Sequence, residues 1–363
     1  MRIVFFGSPE AALPSLRAVM EAGHEIPLVV TQPDKPAGRG RKTSACPVKT
    51  FADERGLPVI QPERIRKDET VLERLREARP DIQIVVAYGR IIPDAILYLP
   101  RWKTLNVHFS LLPKFRGASP VQWAVLSGER RTGVTIIELN AGMDEGDILD
   151  AEETEIGRDE TAGQLETRLS DIGASLLMRA LTTIADGSAA RRPQNHDEAT
   201  YAPKISKNDG RIDWTTAAEA VERKVRAFQP WPTAFTYLGG TRLVVRKGRV
   251  VDRPKPAAFH IPEDRRSSAS AENGFANRNL DESSNRRVSG NLEISVAERF
   301  KQPGPGTILS VTKDGLTILC GGDTAYLVEV LQPEGRSAMA AHAFALGARI
   351  EPGVRFGDSP QTG

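Results

Sequence analysis

Short apolar runs alternate with longer helical stretches along the first half of the chain. The apolar runs lie at residues 3–6, 26–30, 59–60, 82–87 and 105–108. They are nearly continuous, which is typical of strands that are buried on both faces of a parallel sheet covered by helices. The pattern therefore predicts an α/β fold with a Rossmann-like, mostly parallel sheet, in which ligands would collect at the carboxyl ends of the strands.

The region between residues 151 and 187 predicts the end of the first domain. Residues 151–156 are strand-like, and residues 161–187 predict one long amphipathic helix, because large aliphatic side chains recur along one side. The residues of that side are Leu165, Leu169, Ile172, Leu176 and Leu177. We place the domain boundary after residue 203, so that residues 1–203 form the first domain.

Residues 204–363 are expected to form a second, smaller domain. Its apolar runs are short and separated by glycine, and they lie at residues 234–237, 242–249, 306–311, 315–319 and 326–330. Such runs predict a small Greek-key β-barrel of the OB type. A polar stretch at residues 252–302 cannot bury enough apolar surface to fold by itself, and we interpret it as a flexible insertion at a barrel turn.

The turn that follows the first predicted strand has a simple interpretation. Ser8 is the predicted N-cap of the first helix, and Pro9 is the predicted first helical residue. Gly7 lacks the further glycines of a dinucleotide-binding fingerprint, so the turn gives little support to NAD binding.

An amide, an imidazole and a carboxylate are candidates for chemistry. Asn106 and His108 lie two residues apart on a predicted strand, so they share one of its faces. Asp144 lies between Gly142 and Gly146, which would let the backbone turn sharply and bring a carboxylate near that strand. An imidazole that is oriented by a carboxylate is a better proton acceptor. Three polar residues at such distances can also serve structure alone, which is the alternative.

A basic loop follows the second predicted strand. Residues 31–42 combine proline and glycine with four cations, which are Lys35, Arg39, Arg41 and Lys42. These cations would neutralise phosphates if the loop entered a nucleic-acid groove. A solvated surface loop is the simpler interpretation, although this loop lies at the ligand-bearing edge of the predicted sheet.

The residues around the candidate site resemble the signature of the folate-dependent formyltransferases. The resemblance rests on Asn106, His108, residues 110–113, Arg116, Gly117, Pro120, residues 132–135 and residues 144–149. It extends from Met1 to about residue 355, interrupted at residues 252–302. It implies the two-domain fold predicted above and the transfer of a formyl group from 10-formyltetrahydrofolate to the amino group of initiator methionyl-tRNA.

The resemblance also implies a role for each group of candidate residues. Asn106, His108 and Asp144 would be catalytic: the amide would stabilise the oxyanion, and either His108 or Asp144 would be the final proton acceptor. Tetrahydrofolate would bind at Ser110, Leu111, Leu112 and Pro113, and at Ala87, Tyr88 and Gly89. The tRNA acceptor stem would meet Lys35, Arg39, Arg41 and Lys42.

Composition limits the other possibilities. Of the 363 residues, 40% are hydrophobic and 26% charged, and no apolar run approaches the roughly 20 residues that span a bilayer. Cys46 and Cys320 fall in different predicted domains, and two thiols are too few for a disulfide framework or a metal site. We expect a cytoplasmic, monomeric protein that needs no metal.

Charge is divided unevenly along the chain. From residue 204 onward there are 23 Lys and Arg against 18 Asp and Glu, a net +5, whereas the first 203 residues have 26 against 29, a net −3. A basic barrel would suit RNA, but a charge of this size is as typical of an ordinary solvated surface.

Two alternative functions stay open. The same catalytic domain could formylate a small amine, such as a purine-pathway ribonucleotide or an amino sugar nucleotide, although a small acceptor would need neither the basic loop nor the basic barrel. A non-catalytic RNA-binding protein on the same fold is the other alternative. The presence of Asn106, His108 and Asp144 argues against it.

Overall fold

The computed structural model describes residues 1–37, 42–66, 68–254 and 303–357, which form two compact units. The first unit consists of Met1–Gly210 with Arg223–Ala234, and the second of Arg211–Glu222 with Phe235–Gly363. The units therefore do not follow one cut in the chain. The single boundary expected after residue 203 does not describe the return of residues 223–234 to the first unit.

The first unit alternates strands and helices. In chain order these are β1 (Arg2–Gly7), α1 (Leu13–Glu21), β2 (Glu25–Val30), β3 (Lys35–Ala37), β4 (Lys42–Ser44), α2 (Pro47–Glu54), β5 (Val59–Ile60), α3 (Glu69–Ala78), β6 (Ile82–Val86), α4 (Asp94–Leu97), β7 (Thr104–His108), α5 (Pro120–Ser127), β8 (Arg131–Glu138), β9 (Ile148–Glu155) and α6 (Ala162–Ala185). Seven strands form one sheet in the order β5-β2-β1-β6-β7-β8-β9. The first five of these are parallel, and β8 and β9 are antiparallel. The mostly parallel sheet predicted from the apolar runs is confirmed.

Helices cover both faces of this sheet. On one face, Leu105 and Val107 of β7 belong to a buried cluster with residues of α1, α2, α5 and α6. On the other face, Val85 of β6 belongs to a second cluster with residues of α3 and α4. Because side chains alternate along a strand, Asn106 and His108 face away from the cluster that contains their neighbours Leu105 and Val107.

Helix α6 packs against β7 on the face of the sheet that carries Leu105 and Val107. Its amino end is a capping box, in which the Thr161 hydroxyl accepts from the Gln164 N–H and the Gln164 amide oxygen accepts from the Thr161 N–H. Gly173 allows the close approach, since a Cβ there would lie 2.8 Å from Cγ1 of Val107. The long amphipathic helix predicted at residues 161–187 is confirmed, and it supports the strand that carries Asn106 and His108.

The turn after β1 differs from the prediction. A short 3-10 turn at Glu10–Ala12 precedes α1, and Ser8 caps neither element. The Ser8 hydroxyl instead accepts a hydrogen bond from the backbone N–H of Gln32, at 3.0 Å. Ser8 therefore links the ends of β1 and β2, at the edge of the sheet where ligands of parallel folds bind.

The second unit is an antiparallel β-domain, as expected. Its elements are α7 (Ala218–Ala227), whose residues from Arg223 onward belong to the first unit, β10 (Phe235–Leu238), β11 (Thr241–Val251), β12 (Ile308–Thr312), β13 (Gly315–Leu319), β14 (Ala325–Pro333), β15 (Met339–Ala340) and α8 (Ala341–Gly347). The strand order is β10-β11-β14-β13-β12, and β15 pairs with β14. Because β11 pairs with β14 while β12, β13 and β14 follow one another, the arrangement is a Greek key.

The last described residues connect the two edges of this sheet. The N–H of Ile308, in β12, donates to the carbonyl of Val354 at 2.8 Å, and the N–H of Gly357 donates to the carbonyl of Tyr237, in β10, at 3.0 Å. Residues 353–357 thus lie between the edge strands. Of the insertion predicted at residues 252–302, all but residues 252–254 lies outside the described residues.

Candidate active site

The candidate site lies at the carboxyl end of β7, the last parallel strand of the first unit. β7 pairs in parallel with β6 and antiparallel with β8, so polar side chains at its end lie inside the sheet and not at an edge. His108 is 5% exposed, and Asn106 is half-buried. A titratable ring is thus held in a nearly water-free position beside a partly accessible amide.

Asp144 completes the group that the sequence predicts. Its Oδ1 lies 3.4 Å from the amide nitrogen of Asn106, and its Oδ2 lies 3.7 Å from Nδ1 of His108. The backbone N–H of Gly117 donates to the same Oδ2 at 2.8 Å. The structure therefore brings Asn106, His108 and Asp144 together around one carboxylate.

The tautomer of His108 follows from its second neighbour. Nε2 lies 2.9 Å from the carbonyl oxygen of Phe115, and a carbonyl can only accept a hydrogen bond, so we assign the proton to Nε2. In the neutral ring, Nδ1 is then unprotonated and faces Asp144. The ring can accept a proton at Nδ1, and the imidazolium that results would lie next to a carboxylate.

The backbone of the Asp144 loop is tightly constrained. Asp144 has a φ of +55°, a left-handed conformation that aspartate tolerates better than most residues. A Cβ at Gly146 would lie 1.7 Å from the carbonyl oxygen of Glu138, so no larger residue fits there. The glycine that was expected to permit a sharp turn is thus required by the close approach of β8.

The side chains of Arg116 and Gln194 support the Asp144 loop through hydrogen bonds. Arg116 is 1% exposed, and its Nε and Nη2 donate to Oε1 of Gln194 at 3.1 and 2.8 Å. The amide nitrogen of Gln194 donates to the carbonyls of Asp144, at 2.7 Å, and Gly146, at 2.8 Å. Neither periodicity nor motif spacing signals Gln194, because it lies outside every helix and strand.

The run from Ser110 to Pro113 is fixed by β8. The hydroxyl of Thr135 donates to the carbonyl of Ser110 at 2.7 Å and accepts from the N–H of Leu112 at 3.1 Å. Ser110 is fully buried, and its own hydroxyl donates to the carbonyl of Lys114. Leu111 and Pro113 are half-buried.

Residues 87–89 follow β6 and lie beside this run, since β6 and β7 are paired. Ala87 and Gly89 are exposed and have φ values of +47° and +71°. Tyr88 differs: it is 1% exposed, its ring packs edge-on against Phe6, and burial raises the pKa of its hydroxyl to about 12. Any contact of Tyr88 with a ligand is therefore through its backbone, whose carbonyl already accepts from Nε2 of Gln32 at 2.7 Å.

The basic loop has an ordered base. Strands β3 and β4 pair with each other, and Lys35 and Lys42 lie on them. Just before β3, the carboxylate of Asp34 accepts from Nζ of Lys49 at 2.8 Å and from Nε2 of Gln61 at 2.7 Å. The hydrogen bond with Lys49 lowers the pKa of Asp34 below its usual value. Arg39 and Arg41 lie outside the described residues.

The described residues form neither a cluster of metal-binding side chains nor a membrane-spanning helix. No group of three or more His, Cys, Asp or Glu side chains in the described part of the chain is arranged to hold a metal ion. No helix in that part is both long and apolar enough to cross a membrane.

Comparison with protein families identifies the class of protein. The family model described as "Formyl transferase" matches residues 1–181, and that of the "Formyl transferase, C-terminal domain" matches residues 204–267 and 284–349. The chain belongs to the formyl transferase family.

Within that family, the chain is similar over nearly its whole length to methionyl-tRNA formyltransferases. It is 37% identical to that of Geobacter metallireducens, with 98% of this chain and 99% of the relative covered. It is 39% identical to that of Acetivibrio thermocellus, with 98% and 100% covered.

Two solved structures share the fold. HypX from Aquifex aeolicus, in complex with tetrahydrofolic acid, has a TM-score of 0.57 at 18% identity. The match covers 95% of this chain and 47% of the HypX chain. The sugar 3N-formyl transferase WlaRD, in the presence of dTDP and 5-N-formyl-THF, has a TM-score of 0.55 at 16% identity and covers 92% and 98%.

Proposed function

We propose that this chain transfers the formyl group of 10-formyltetrahydrofolate to the amino group of initiator methionyl-tRNA. The observation that carries the proposal is the meeting of Asn106, His108 and Asp144 at the end of β7. It occurs in a chain that is similar, from end to end, to methionyl-tRNA formyltransferases. The site geometry supports the reaction class, and the similarity to these relatives supports the acceptor.

Asn106 is assigned to the carbonyl oxygen of the formyl group. When the methionyl amine attacks the formyl carbon, that oxygen gains negative charge, and the half-buried amide can donate a hydrogen bond to it. One such donor is typically worth about 3 to 4 kcal/mol of transition-state stabilisation. The contact with Asp144 at 3.4 Å is long and leaves the amide free to turn toward a substrate.

His108 is assigned to the proton that the amine loses. The bond from Nε2 to the Phe115 carbonyl leaves Nδ1 as the acceptor, and Nδ1 faces Asp144. The Asp144 carboxylate, 3.7 Å away, stabilises the imidazolium that forms. The amine nitrogen keeps the new bond to the formyl carbon, the bond from that carbon to the folate nitrogen breaks, and the folate nitrogen takes up the proton that His108 accepted, so that tetrahydrofolate leaves.

The surface beside these residues suits a planar co-substrate. Ala87 and Gly89 present exposed, left-handed backbone, which offers amide groups without bulky side chains in front of them. Leu111 and Pro113 add apolar surface at the same edge of the sheet. Such a combination of apolar walls and a few backbone groups fits the pterin ring of a folate.

We assign the binding of the macromolecular acceptor, tRNA, to the basic loop and the β-domain. We infer that residues 204–363 and the cations Lys35, Arg39, Arg41 and Lys42 contact tRNA, supported by the net charge of +5 of that region and by the ordered base of the loop. A monomer working in the cytoplasm, where charged initiator tRNA is used, is the setting we propose.

The test is transfer of labelled formyl from 10-formyltetrahydrofolate to initiator methionyl-tRNA. Elongator methionyl-tRNA and free methionine serve as parallel acceptors. We expect labelling of the initiator and little labelling of the other two. Labelling of no tRNA, together with labelling of an amino sugar nucleotide or a purine-pathway ribonucleotide, would replace this acceptor by a small amine.

A substitution in the basic loop tests the tRNA assignment. Arg39→Ala should raise the KM for tRNA, leave the KM for the folate unchanged, and reduce the slope of log KM against log salt by about 1, because one phosphate contact is lost. The matched control is Arg76→Ala, since exposed Arg76 lies in the last turn of α3, which leads to the opposite, amino end of β6. An equal change in both variants would contradict a specific role for the loop.

A further inference from the structure

Gln194 occupies a position between a buried charge and the Asp144 loop. It is 6% exposed, and both ends of its amide group are used: the oxygen by Arg116 and the nitrogen by the carbonyls of Asp144 and Gly146. All four contacts are between 2.7 and 3.1 Å. A fully satisfied amide in this position fixes the loop through its backbone.

The orientation of that amide is dictated by Arg116. A guanidinium has only donors, so the Gln194 oxygen must face it, and the NH₂ group must then point at the loop carbonyls. The side chain of Arg116 is 1% exposed, and its backbone is fixed because the backbone N–H donates to the Thr200 carbonyl and the backbone carbonyl accepts from the Ala202 N–H, both at 2.8 Å. Arg116 thus sets the direction in which Gln194 donates.

The outer side of the guanidinium is held as well. Nη1 lies 3.5 Å from the carboxylate of Glu145, the residue after Asp144, and both Nη atoms lie 3.4 Å from Nδ1 of His196. The loop is therefore attached to Arg116 twice, directly through Glu145 and indirectly through Gln194.

The conformation that needs this support is that of Asp144 itself. Its φ of +55° lies in a sparsely populated region, which persists when surrounding contacts enforce it. Gln194 bonds to the carbonyl of this same residue and to that of Gly146, two positions later. These bonds fix the peptide that follows Asp144 and the peptide that follows Gly146, and so restrict the loop backbone that carries the Asp144 carboxylate.

We propose that Gln194, aligned by Arg116, is a positioning residue that holds the Asp144 carboxylate against the Gly117 N–H and His108. The inference rests on the proposed function for its kinetic consequence, but its structural part stands without it. Gln194 touches no reacting atom and acts through Asp144. A displacement of about 1 Å at a reacting centre can cost roughly 100-fold in rate.

The variant that isolates this role is Gln194→Glu. A carboxylate still accepts from Arg116, so the buried charge keeps its partner, but it has no N–H for the two loop carbonyls. Gln194→Met is a second, uncharged variant of similar length. The matched control is Asn195→Ala, since Asn195 is the exposed neighbour whose side chain bonds only within its own turn, to Asp197 and Glu198.

The first measurement is independent of activity. The Gly117 N–H donates to Asp144 Oδ2, so its hydrogen exchange reports whether the carboxylate is in place. We expect exchange at Gly117 to become about tenfold faster in Gln194→Glu and Gln194→Met and to stay unchanged in Asn195→Ala. Unchanged exchange in both Gln194 variants would overturn the proposal, whatever the enzyme's substrate is.

The second measurement is a double-mutant cycle on formyl transfer. Per active site, counted by titration with 5-formyltetrahydrofolate, Gln194→Glu should lower kcat about 100-fold with little change in either KM. In an Asp144→Asn background the same change should cost less than about threefold, because the residue that Gln194 positions is already disabled. Equal losses in both backgrounds would overturn the proposal, since Gln194 would then act independently of Asp144.

A wild-type protein that formylates no tRNA would refute the proposed function, and the exchange result would still decide the positioning role.

Discussion

Replacing His108 by glutamine is expected to lower kcat for formyl transfer about 1000-fold, with little change in the KM of either substrate. Glutamine can still donate to the Phe115 carbonyl, which His108 Nε2 meets at 2.9 Å, but it has no basic nitrogen in place of Nδ1. Loss of a positioned acid–base group typically lowers the rate by roughly 100-fold to 10,000-fold. Single-turnover kinetics will measure the rate of the chemical step directly.

The control for this variant is His24→Gln, because His24 lies just before β2 and thus at the opposite end of the parallel strands. It should keep the rate of the wild type. If His108→Gln loses less than about tenfold, the proton goes to Asp144 or to water, and the role of His108 reduces to holding the oxyanion.

Replacing Asn106 by alanine is expected to lower kcat by about 100-fold to 1000-fold. The amide is the side chain on β7 that can donate to the formyl oxygen as charge develops on it, and removal of one oxyanion donor has this size of effect in other enzymes. Because the interaction forms mainly in the transition state, kcat and kcat/KM should fall together. Steady-state kinetics with both substrates varied will show this.

The matched control is Asn208→Ala, in the exposed 3-10 turn at Asn208–Gly210. A fall in kcat/KM for Asn106→Ala that comes only from a higher KM would contradict the assignment. It would mean that the amide binds the ground state of a substrate and does not stabilise the oxyanion.

Much of the candidate site could be predicted from local patterns. The alternation of side chains along a strand was enough to place Asn106 and His108 on one face, and the structure has them there. Flanking glycines indicated a sharp loop at Asp144, and the crowding of Gly146 against Glu138 shows why glycine is needed. These features depend on neighbours along the chain, so short windows of sequence contain them.

The contacts that hold the site depend on distant parts of the chain. Gln194 meets the Asp144 loop about 50 positions away through a side chain that has no periodic partner. Ser8 has the residue type and place of an N-cap, but the Gln32 N–H competes for its hydroxyl once β1 and β2 pair. Tyr88 lies in a segment at the site, yet the direction of its side chain was fixed by packing on Phe6.

The extent of the units also exceeds what local patterns indicate. Residues 223–234 follow the start of the second unit and yet belong to the first. Phe228 shows the reason, because it is 2% exposed and belongs to the same buried cluster as Leu105 and Leu169. The composition of residues 223–234 does not indicate that they pack in the core of the first unit.

The position of residues 353–357 between β10 and β12 has a consequence for biosynthesis. The ribosome makes β10 more than a hundred residues before Gly357, whose N–H bonds to the Tyr237 carbonyl of β10. Similarly, β12 is made before Val354, whose carbonyl accepts from the Ile308 N–H. Until then Tyr237 and Ile308 lack these backbone partners, and unpaired groups at the edge of a strand promote association between chains. The second unit is therefore open to association at these two strand edges until residues 353–357 have been made, whereas β9, the last strand of the sheet in the first unit, ends at Glu155.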